Sequence, residues 1–462
     1  MIQLGDIKKV YFIGIGGIGM SALARYFHSR GVEVSGYDKS STVLTRTLAE
    51  SGIAIHYEEN TNEVPNDVQL VVYTPAVPEA HLELQYYKQL GVPVMKRSEV
   101  LGIISSGSFN ICVAGTHGKT TISTMIAHIL RHSEYGCNAF LGGIASNYDT
   151  NFWSSQRNVS VIEADEYDRS FLRLNPDIAI VSSMDADHLD IYGTEDALQQ
   201  AFIDFSQKVK PGGLLICKFG LRRRRKLVAD RNLTYSLQNE AADVFATNIK
   251  MENGSYTFDV MMKDNMLDNV TLNMGGMYNI ENAIAAITVA SQIGIENDKI
   301  KVAVEAFKGV KRRFQYIVKN ESIVFIDDYA HHPEELKALL TGAKSLFQGK
   351  KCTIVFQPHL FSRTRDMAGE FAQSLDLADE VILLPIYPAR ELPIEGVTSR
   401  MILARMENHN KKLMSKEDVL QYMKESFMPA LNKEFGQVFI TAGAGDIDAL
   451  VNPIKQIMER EV

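Results

Sequence analysis

The clearest chemistry in the chain lies in Gly115-Thr116-His117-Gly118-Lys119-Thr120-Thr121. These residues follow the apolar run Ile111-Cys112-Val113-Ala114 and precede Ile122-Ser123-Thr124-Met125-Ile126-Ala127-His128-Ile129-Leu130, which reads as a buried helix. Strand, glycine turn, Lys-Thr and helix together make a phosphate cradle. The glycines let backbone N–H groups turn inward, and the helix N-terminus adds its positive dipole end. Lys119 reaches the outer phosphates and a threonine hydroxyl can sit on Mg²⁺. Only two residues separate Gly115 from Gly118, so the spacing is shorter than the common G-x-x-x-x-G-K-[ST] pattern. An ordinary strand-to-helix turn would not explain Gly, Lys and two Thr together.

Acids and an imidazole fall where such a cradle needs them. Val159-Ser160-Val161-Ile162 predicts a strand that delivers Glu163-Ala164-Asp165-Glu166. The next strand, Ile178-Ala179-Ile180-Val181, delivers Ser182-Ser183-Met184-Asp185-Ala186-Asp187-His188-Leu189-Asp190. C-terminal strand ends share one edge in an open parallel sheet, so these groups should converge on Lys119. Thr120 and Glu163 are the expected ligands of one Mg²⁺, and His188 is the candidate for a second. Singly, a carboxylate there is often a helix cap and a lone His a satisfied core or surface residue. Behind a phosphate loop they read as a metal-nucleotide site.

A second phosphate signal comes earlier. Lys9-Val10-Tyr11-Phe12-Ile13 predicts a strand, Gly14-Ile15-Gly16-Gly17-Ile18-Gly19 satisfies G-x-G-x-x-G, and Met20 to Phe27 reads as a helix. The next strand, Val32 to Tyr37, ends at Asp38, where a dinucleotide fold puts a carboxylate on a ribose hydroxyl. NAD and a UDP-sugar both fit this pattern, and a plain turn residue is the duller reading of Asp38. Leu70 to Tyr73 predicts a strand ending in Thr74-Pro75-Ala76-Val77-Pro78, Val92 to Met95 a short edge strand, and Glu99 to Ile104 a helix. Ser105-Ser106-Gly107-Ser108 reads as a small-residue linker and the first domain boundary.

Beyond the phosphate loop, residues 231–275 alternate in strand fashion and predict an antiparallel insertion. Asn279, Glu281 and Asn282 then open an Ala- and Ile-rich helix, either as caps or with amides turned to a base or ribose. Lys311-Arg312-Arg313-Phe314 precedes a second boundary near 316. In the last third, strands over 323–326, 351–356, 380–384 and 438–441 all end in polar or glycine-rich text. His331, His332, His359, Arg363 and Arg365 at those ends suit an anionic substrate and phosphate. The basic run Arg222-Arg223-Arg224-Arg225-Lys226 reads as a solvated helix or loop.

Bulk properties narrow the class. The 462 residues are 45% apolar and 23% charged, with net charge −8, which argues against a nucleic-acid or membrane-surface binder. Cys112, Cys137, Cys217 and Cys352 are scattered, so neither a disulfide framework nor a zinc site is suggested. The first residues lack a signal-peptide layout, and no apolar run approaches about 18 residues. A cytoplasmic setting is expected, as a monomer or weak homodimer. The expected architecture is α/β in three domains: a Rossmann-like N-terminal domain (1–107), a central P-loop-type ATPase domain with a small antiparallel insertion (108–316), and a C-terminal Rossmann-like domain (317–462).

The combined motifs resemble the Mur ligases of peptidoglycan synthesis. The resemblance is carried by Gly14 to Ser21, Gly115 to Thr121, Glu163 to Glu166, Asp187 to Asp190, Asp328-Tyr329-Ala330-His331-His332-Pro333, Gln357-Pro358-His359 and Ala442-Gly443-Ala444-Gly445-Asp446. These stretches span nearly the whole chain in family order, and the shortened phosphate loop is the form this family uses. The resemblance implies an ATP- and Mg²⁺-dependent ligase joining L-alanine to the lactyl carboxylate of UDP-N-acetylmuramate through an acyl phosphate. Gly16, Gly17 and Gly19 would hold the UDP diphosphate, with Asp38 near the uridine end and Thr74 in the same substrate site. Gly115, Thr116, His117, Gly118, Lys119, Thr120 and Thr121 would bind ATP, with Thr120 and Glu163 on one Mg²⁺ and His188 on the other. Asn279 and Asn282 would face adenine, and Arg313 and Asp328 would clamp the nucleotide on domain closure. Tyr329, His331, His359 and Arg363 would surround the amino acid and acyl group, and His188 or His331 could accept the amine proton.

Two departures from the family pattern stand out. Gln200-Ala201-Phe202-Ile203-Asp204-Phe205 has no lysine where several relatives carry a carbamylated one, as expected for the alanine-adding branch. Leu360 follows His359 where many relatives have an arginine, which leaves more of the anion contact to Arg363. A rival reading joins a preformed tripeptide to the same sugar nucleotide, and the Ala442 to Asp446 ending favours alanine. An NAD-dependent oxidoreductase rests on Gly14 to Gly19 and Asp38 alone, and an ATP-driven switch would not need the anion-binding last third.

Overall fold

The computed structural model describes residues 4–186, 189–263, 265–389, 391–432 and 434–461. The first sheet holds β1 (Lys9–Ile13), β2 (Glu33–Tyr37), β3 (Ala54–His56), β4 (Leu70–Tyr73) and β5 (Val94–Lys96), in the order β3-β2-β1-β4-β5. All its pairings are parallel. Side chains alternate between the faces of a strand, so a sheet covered on both sides needs apolar residues at every position. In β1, Val10 and Phe12 enter one apolar cluster while Tyr11 and Ile13 enter another. Helices α1 (Ile18–Ser29) and α2 (Arg97–Ser106) follow β1 and β5.

The second sheet is the scaffold of the phosphate loop. Its strands are β6 (Phe109–Ala114), β7 (Asn138–Ala145), β8 (Thr150–Trp153), β9 (Val159–Glu163), β10 (Ile178–Val181), β11 (Leu214–Lys218), β12 (Arg231–Ser236), β13 (Val244–Glu252), β14 (Ser255–Met262) and β15 (Asn265–Leu272). They lie in the order β15-β14-β13-β12-β11-β10-β6-β9-β7-β8. β9 and β10 flank β6 on opposite sides and run parallel to it. The chain must therefore cross over β6 between them, which opens a crevice at its C-terminal end, where ligands bind in such sheets. Helix α3 (Lys119–His132) starts in that crevice, and α4 (Met277–Gln292) follows β15.

The third sheet comprises β16 (Gln315–Lys319), β17 (Ile323–Asp328), β18 (Lys351–Phe356), β19 (Glu380–Leu383), β20 (Lys411–Leu413) and β21 (Gln437–Ala442). Their order is β16-β17-β21-β18-β19-β20, parallel except for β16 against β17. The chain forms two compact units, one of residues 1–247, 259–270 and 281–305, the other of 248–258, 271–280 and 306–462. Among the described residues no helix is long and apolar enough to cross a membrane, and all four cysteines are free and buried.

Three expectations need correction. The serine-rich 105–108 stretch is not a loose linker: Ser105 and Ser106 finish α2, and Ser105 and Ser108 are buried. Asn110 explains why, since its amide donates to the carbonyls of Ser105, Ser108 and Asn175 while its oxygen accepts from Ser108 Oγ at 2.7 Å. Second, the segment from 231 is not antiparallel throughout, because β12 pairs in parallel with both β11 and β13. The reversal begins only at Asn253-Gly254, whose φ angles of +49° and +72° suit a two-residue hairpin turn. Third, the boundary near 316 falls inside β16, which belongs to the third sheet. Strands β3, β7, β8, β11, β16 and β20 have no counterpart in the sequence reading; β3 is three residues long, and β7 is interrupted by Gly142-Gly143.

Asn110→Ala should lower the thermal unfolding midpoint, since each buried carbonyl left unpaired costs about 1–3 kcal/mol. An unchanged midpoint would show that water replaces the amide and that this junction is not held by it.

Candidate active site

Close packing, rather than loop length, shapes the phosphate loop. Gly115 leaves β6 with φ +139°, and a Cβ there would lie 2.1 Å from Ser182 Oγ and 2.8 Å from the Ser183 nitrogen. Gly118 caps α3 in the left-handed region at φ +83°, and a Cβ on it would lie 2.8 Å from Asn282 Oδ1. Both glycines are thus required by neighbours as well as by backbone conformation. Ser183 Oγ takes hydrogen bonds from Thr116 Oγ1 at 2.9 Å and from the His117 N–H at 2.7 Å. The Asp185 N–H donates to Thr116 Oγ1 at 3.2 Å. Ser182 and Ser183 escaped the sequence reading as site residues; small polar residues at the end of the strand beside the loop were the available signal.

Lys119 turns back over the loop, donating at 2.7 Å to the Gly115 carbonyl and at 2.7 Å to Glu166 Oε1. Glu166 is fully buried, and burial pushes its pKa up while Lys119 pulls it back down. An ion removed from water costs several kcal/mol, so the buried carboxylate needs its lysine. Glu163 sits apart from this pair. Its Oε1 accepts from Thr120 Oγ1 at 2.9 Å and its Oε2 from the Gly142 N–H at 2.9 Å. A Cβ on Gly142 would stand 2.3 Å from Oε1, so that glycine makes room for the carboxylate. The Thr120 hydroxyl and the Glu163 carboxylate are hard oxygen donors, which fits Mg²⁺, an ion that takes one or two carboxylates and fills its shell from phosphate and water. No cluster of three or more His, Cys, Asp or Glu able to hold a metal occurs among the described residues. The second-ion candidate, His188, and its neighbour Asp187 lie outside them.

A cleft of about 320 Å³ opens beside this loop, lined by Gly17, Gly19, Thr74, Arg97, Glu163 and Asp165 among others. It joins the glycine turn of the first sheet to the acidic strand end of the second. Asp38 braces the turn itself, accepting from the Gly16 N–H at 2.7 Å and the Ser40 N–H at 3.1 Å. Thr74 packs against Gly14, whose Cβ would come within 2.7 Å of Thr74 Cγ2. Thr121 is buried in the first turn of α3.

In the second unit the predicted residues meet at the C-terminal ends of β17, β18 and β21. His331 Nδ1 lies 2.9 Å from the Tyr329 carbonyl, and the His331 and His359 rings are 6.0 Å apart. His359 stacks on Tyr387 at 5.8 Å, and Arg363 Nη1 reaches the His331 carbonyl at 3.5 Å. Burial lowers the pKa of both histidines, so both are neutral, and able to take a proton, at pH 7. Leu360, between His359 and Arg363, holds φ +72°, and its N–H is tied to the Tyr387 carbonyl at 3.0 Å. Asp328 accepts from the Phe314 N–H at 2.6 Å and the Ala330 N–H at 2.7 Å; burial nevertheless raises its pKa to about 6, with Arg313 opposing. Asn279 is buried inside the first turn of α4 and donates to the Gly275 carbonyl at 2.6 Å, so it does not cap the helix. Gly445 approaches Gln357 and Tyr387 so closely that a Cβ would lie 2.5 Å from Gln357 Oε1.

Comparison with known proteins agrees with this geometry. Residues 113–290 match the Mur ligase middle domain, 9–108 the Mur ligase family catalytic domain, and 312–445 the Mur ligase glutamate ligase domain. A UDP-N-acetylmuramate–L-alanine ligase of Flavobacterium johnsoniae is 46% identical over 469 residues, covering 100% of both chains. The chain belongs to the Mur ligase family. A ligase of the same name from Cytophaga hutchinsonii is 47% identical to this Mur ligase, over 99% of this chain and 98% of its own. Among solved structures, the UDP-N-acetylmuramate–alanine ligase of Thermotoga maritima shares 28% identity at a TM-score of 0.81, covering 98% of this Mur ligase and 100% of that chain. A murein peptide ligase of Psychrobacter arcticus shares the fold, at 22% identity and a TM-score of 0.66 over 98% of each chain.

Gly115→Ala should cost about 1–3 kcal/mol of stability from overpacking and should abolish measurable ATP binding in a nucleotide titration. Retained affinity would mean that Ser182 and Ser183 do not set the loop. A second expectation concerns Asp327, buried beside Thr441 and Arg312, whose pKa burial raises from 3.8 to about 7. A carboxyl with a raised folded-state pKa stabilises the fold fully below pH 4 and loses that contribution as pH rises through 7. The thermal midpoint should therefore fall between pH 5 and pH 8 by less in Asp327→Asn than in the unmodified protein.

Proposed function

We propose that this Mur ligase joins L-alanine to UDP-N-acetylmuramate, with ATP converted to ADP and phosphate. The observation that carries the reading is the single cleft lined both by the diphosphate-type glycines Gly17 and Gly19 and by Glu163 of the phosphate-loop site. A sugar nucleotide laid on the glycines extends toward the carboxylate and the loop. There its own carboxylate can meet a γ-phosphate.

The chemistry follows from charge. A carboxylate is a poor electrophile, so it is first converted to an acyl phosphate by attack on the γ-phosphorus. Two anions meet in that step, and Lys119, with the N-terminus of α3, offsets the repulsion. Lys119 exchanges Glu166 and the Gly115 carbonyl for the outer phosphates. Thr120 and Glu163 would hold Mg²⁺, which supplies further charge neutralisation when bound. The cluster of Tyr329, His331, His359 and Arg363 provides the amino-acid subsite, where neutral His331 accepts the proton the amine must lose. Phosphate then leaves from the tetrahedral adduct. Asn282, against Gly118, would serve the nucleotide, and Asp38 would act through the turn it braces. The reaction belongs to the cytoplasm.

The tripeptide-joining alternative is not favoured, because relatives 46% to 47% identical over the full length are named L-alanine ligases. Purified protein should hydrolyse ATP only with UDP-N-acetylmuramate and L-alanine both present, and L-alanyl-γ-D-glutamyl-diaminopimelate should not replace L-alanine. Turnover with the tripeptide and not with alanine would reverse the assignment. Lys119→Ala should lower kcat by about 100-fold or more and leave sugar-nucleotide binding intact.

A further inference from the structure

Asn151, in β8, is fully buried at the place where the first sheet meets the second. Its amide reaches 133 residues back along the chain, donating at 2.6 Å to the Ile18 carbonyl and at 3.0 Å to Ser21 Oγ. Both partners lie in the first turn of α1, directly behind the glycine turn. Ser21 Oγ itself donates to the Ile18 carbonyl at 2.8 Å, so the three groups close a ring. The Asn151 oxygen is buried with no partner among the described residues. An unpaired buried acceptor costs stability, and a small apolar side chain would avoid that cost. What this residue gains must lie in what its nitrogen holds. Rings support the same junction: Tyr26 of α1 lies 5.5 Å from Phe140 of β7 and 6.1 Å from Phe152 of β8. β8 pairs with β7, β7 pairs with β9, and Gly142 of β7 donates its N–H to Glu163 at the end of β9. One hairpin therefore bears on the helix behind the glycine turn and on the Glu163 carboxylate.

We infer that Asn151 is a positioning residue that fixes the spacing between the glycine turn and the phosphate-loop site. The inference rests on the proposed function and adds the brace that the reaction requires. Asn151 is not among the residues lining the cleft, so it acts through α1. Acyl-phosphate formation brings the carboxylate of one ligand to the γ-phosphorus of another, and a misplacement of about 1 Å can cost roughly 100-fold in rate. In that reading the two ligands belong to different sheets, so their spacing is set where the sheets touch. Burial of Tyr26 holds the layers together without defining their register, because apolar burial is not directional. Two hydrogen bonds from one planar amide to the first turn of α1 do define it. The sequence carried no signal for this, since Asp149-Thr150-Asn151-Phe152-Trp153 lies outside every motif.

Separate measurements of binding and turnover test the assignment. In Asn151→Ala, calorimetric affinities for UDP and for ADP should each stay within about twofold, since each ligand keeps its own sheet. Phosphate release dependent on ATP, UDP-N-acetylmuramate and L-alanine should lose kcat by roughly 10- to 100-fold. Amide hydrogen exchange should quicken by roughly five- to tenfold across α1 and not across α3, the range for one lost hydrogen bond. Asn151→Asp keeps the shape and removes the donors, so it should match the alanine variant; full activity there would credit packing instead and overturn the inference. Ser21→Ala removes one of the two acceptors and should give a smaller loss of kcat. It keeps the test alive if the Asn151 variants do not fold. Unchanged kcat in Asn151→Ala, or in Ser21→Ala where that variant alone folds, overturns the inference. So does a loss of UDP or ADP affinity as large as the loss of kcat, which would make the residue merely structural. Should the unmodified protein not turn over these substrates, the proposed function fails, while unchanged exchange across α1 in Asn151→Ala would sink the brace by itself.

Discussion

The first unit depends on one buried charge. Lys119 Nζ is 2.7 Å from both the Gly115 carbonyl and Glu166, whose carboxylate is fully buried. Left without the ammonium, that carboxylate would cost several kcal/mol, so everything that sets the position of the pair is constrained. β6 must end at Gly115, β9 must end in time to deliver both Glu163 and Glu166, and β10 must bring Ser182 and Ser183 against the loop. The parallel register of these three strands does all of this at one sheet edge. A triphosphate satisfies the same lysine with more charge than Glu166 offers, so the resting pair also keeps the site ready.

The cleft extends that logic to the first sheet. Its glycines are not interchangeable. Gly14 yields to Thr74, Gly16 to Thr45 and Asp38, and Gly19 to Arg97. Asp38 spends its oxygens on the turn and holds its backbone in place. The charged residues facing the cavity are Arg97, Glu163 and Asp165, a cation placed by the glycine turn and acids placed by β9.

In the second unit, backbone strain rather than a buried ion pair positions the chemistry. Leu360 adopts a φ that favours glycine, at a cost on the order of 1–3 kcal/mol, because hydrogen bonds hold the backbone on both sides of it. Its N–H is fixed to Tyr387 and its carbonyl accepts from Thr364 Oγ1 at 2.8 Å. Glu391 adds a third hold by accepting from the Ser362 N–H at 3.0 Å and from its hydroxyl. The result is that His359 and Arg363 flank one rigid corner, with His331 against both. Arg312, rather than its neighbour Arg313, grips the glycine-rich strand end through the carbonyls of Gly443 and Gly445.

Local pattern was enough for the α/β class, most of the strands and the positions of both glycine turns. Strands such as β1 and β10 are buried on both faces, so their identity is written in an unbroken apolar run. The turns are written in glycines that a strand-to-helix connection demands. Lys119, Thr120 and Glu163 were legible for the same reason, each lying within a few residues of a strand end. What the sequence could not disclose are the partners that come from far along the chain: Ser182 and Ser183 for the loop, Gly142 for Glu163, Arg97 for Gly19. Nor could it tell that Ser105 to Ser108 are locked by Asn110, or that β12 continues a parallel sheet. Those facts depend on which atoms occupy the few ångströms beside a given Cα. Only the folded chain decides that, because strand order and crossover bring together residues whose separation in sequence says nothing of their distance in space.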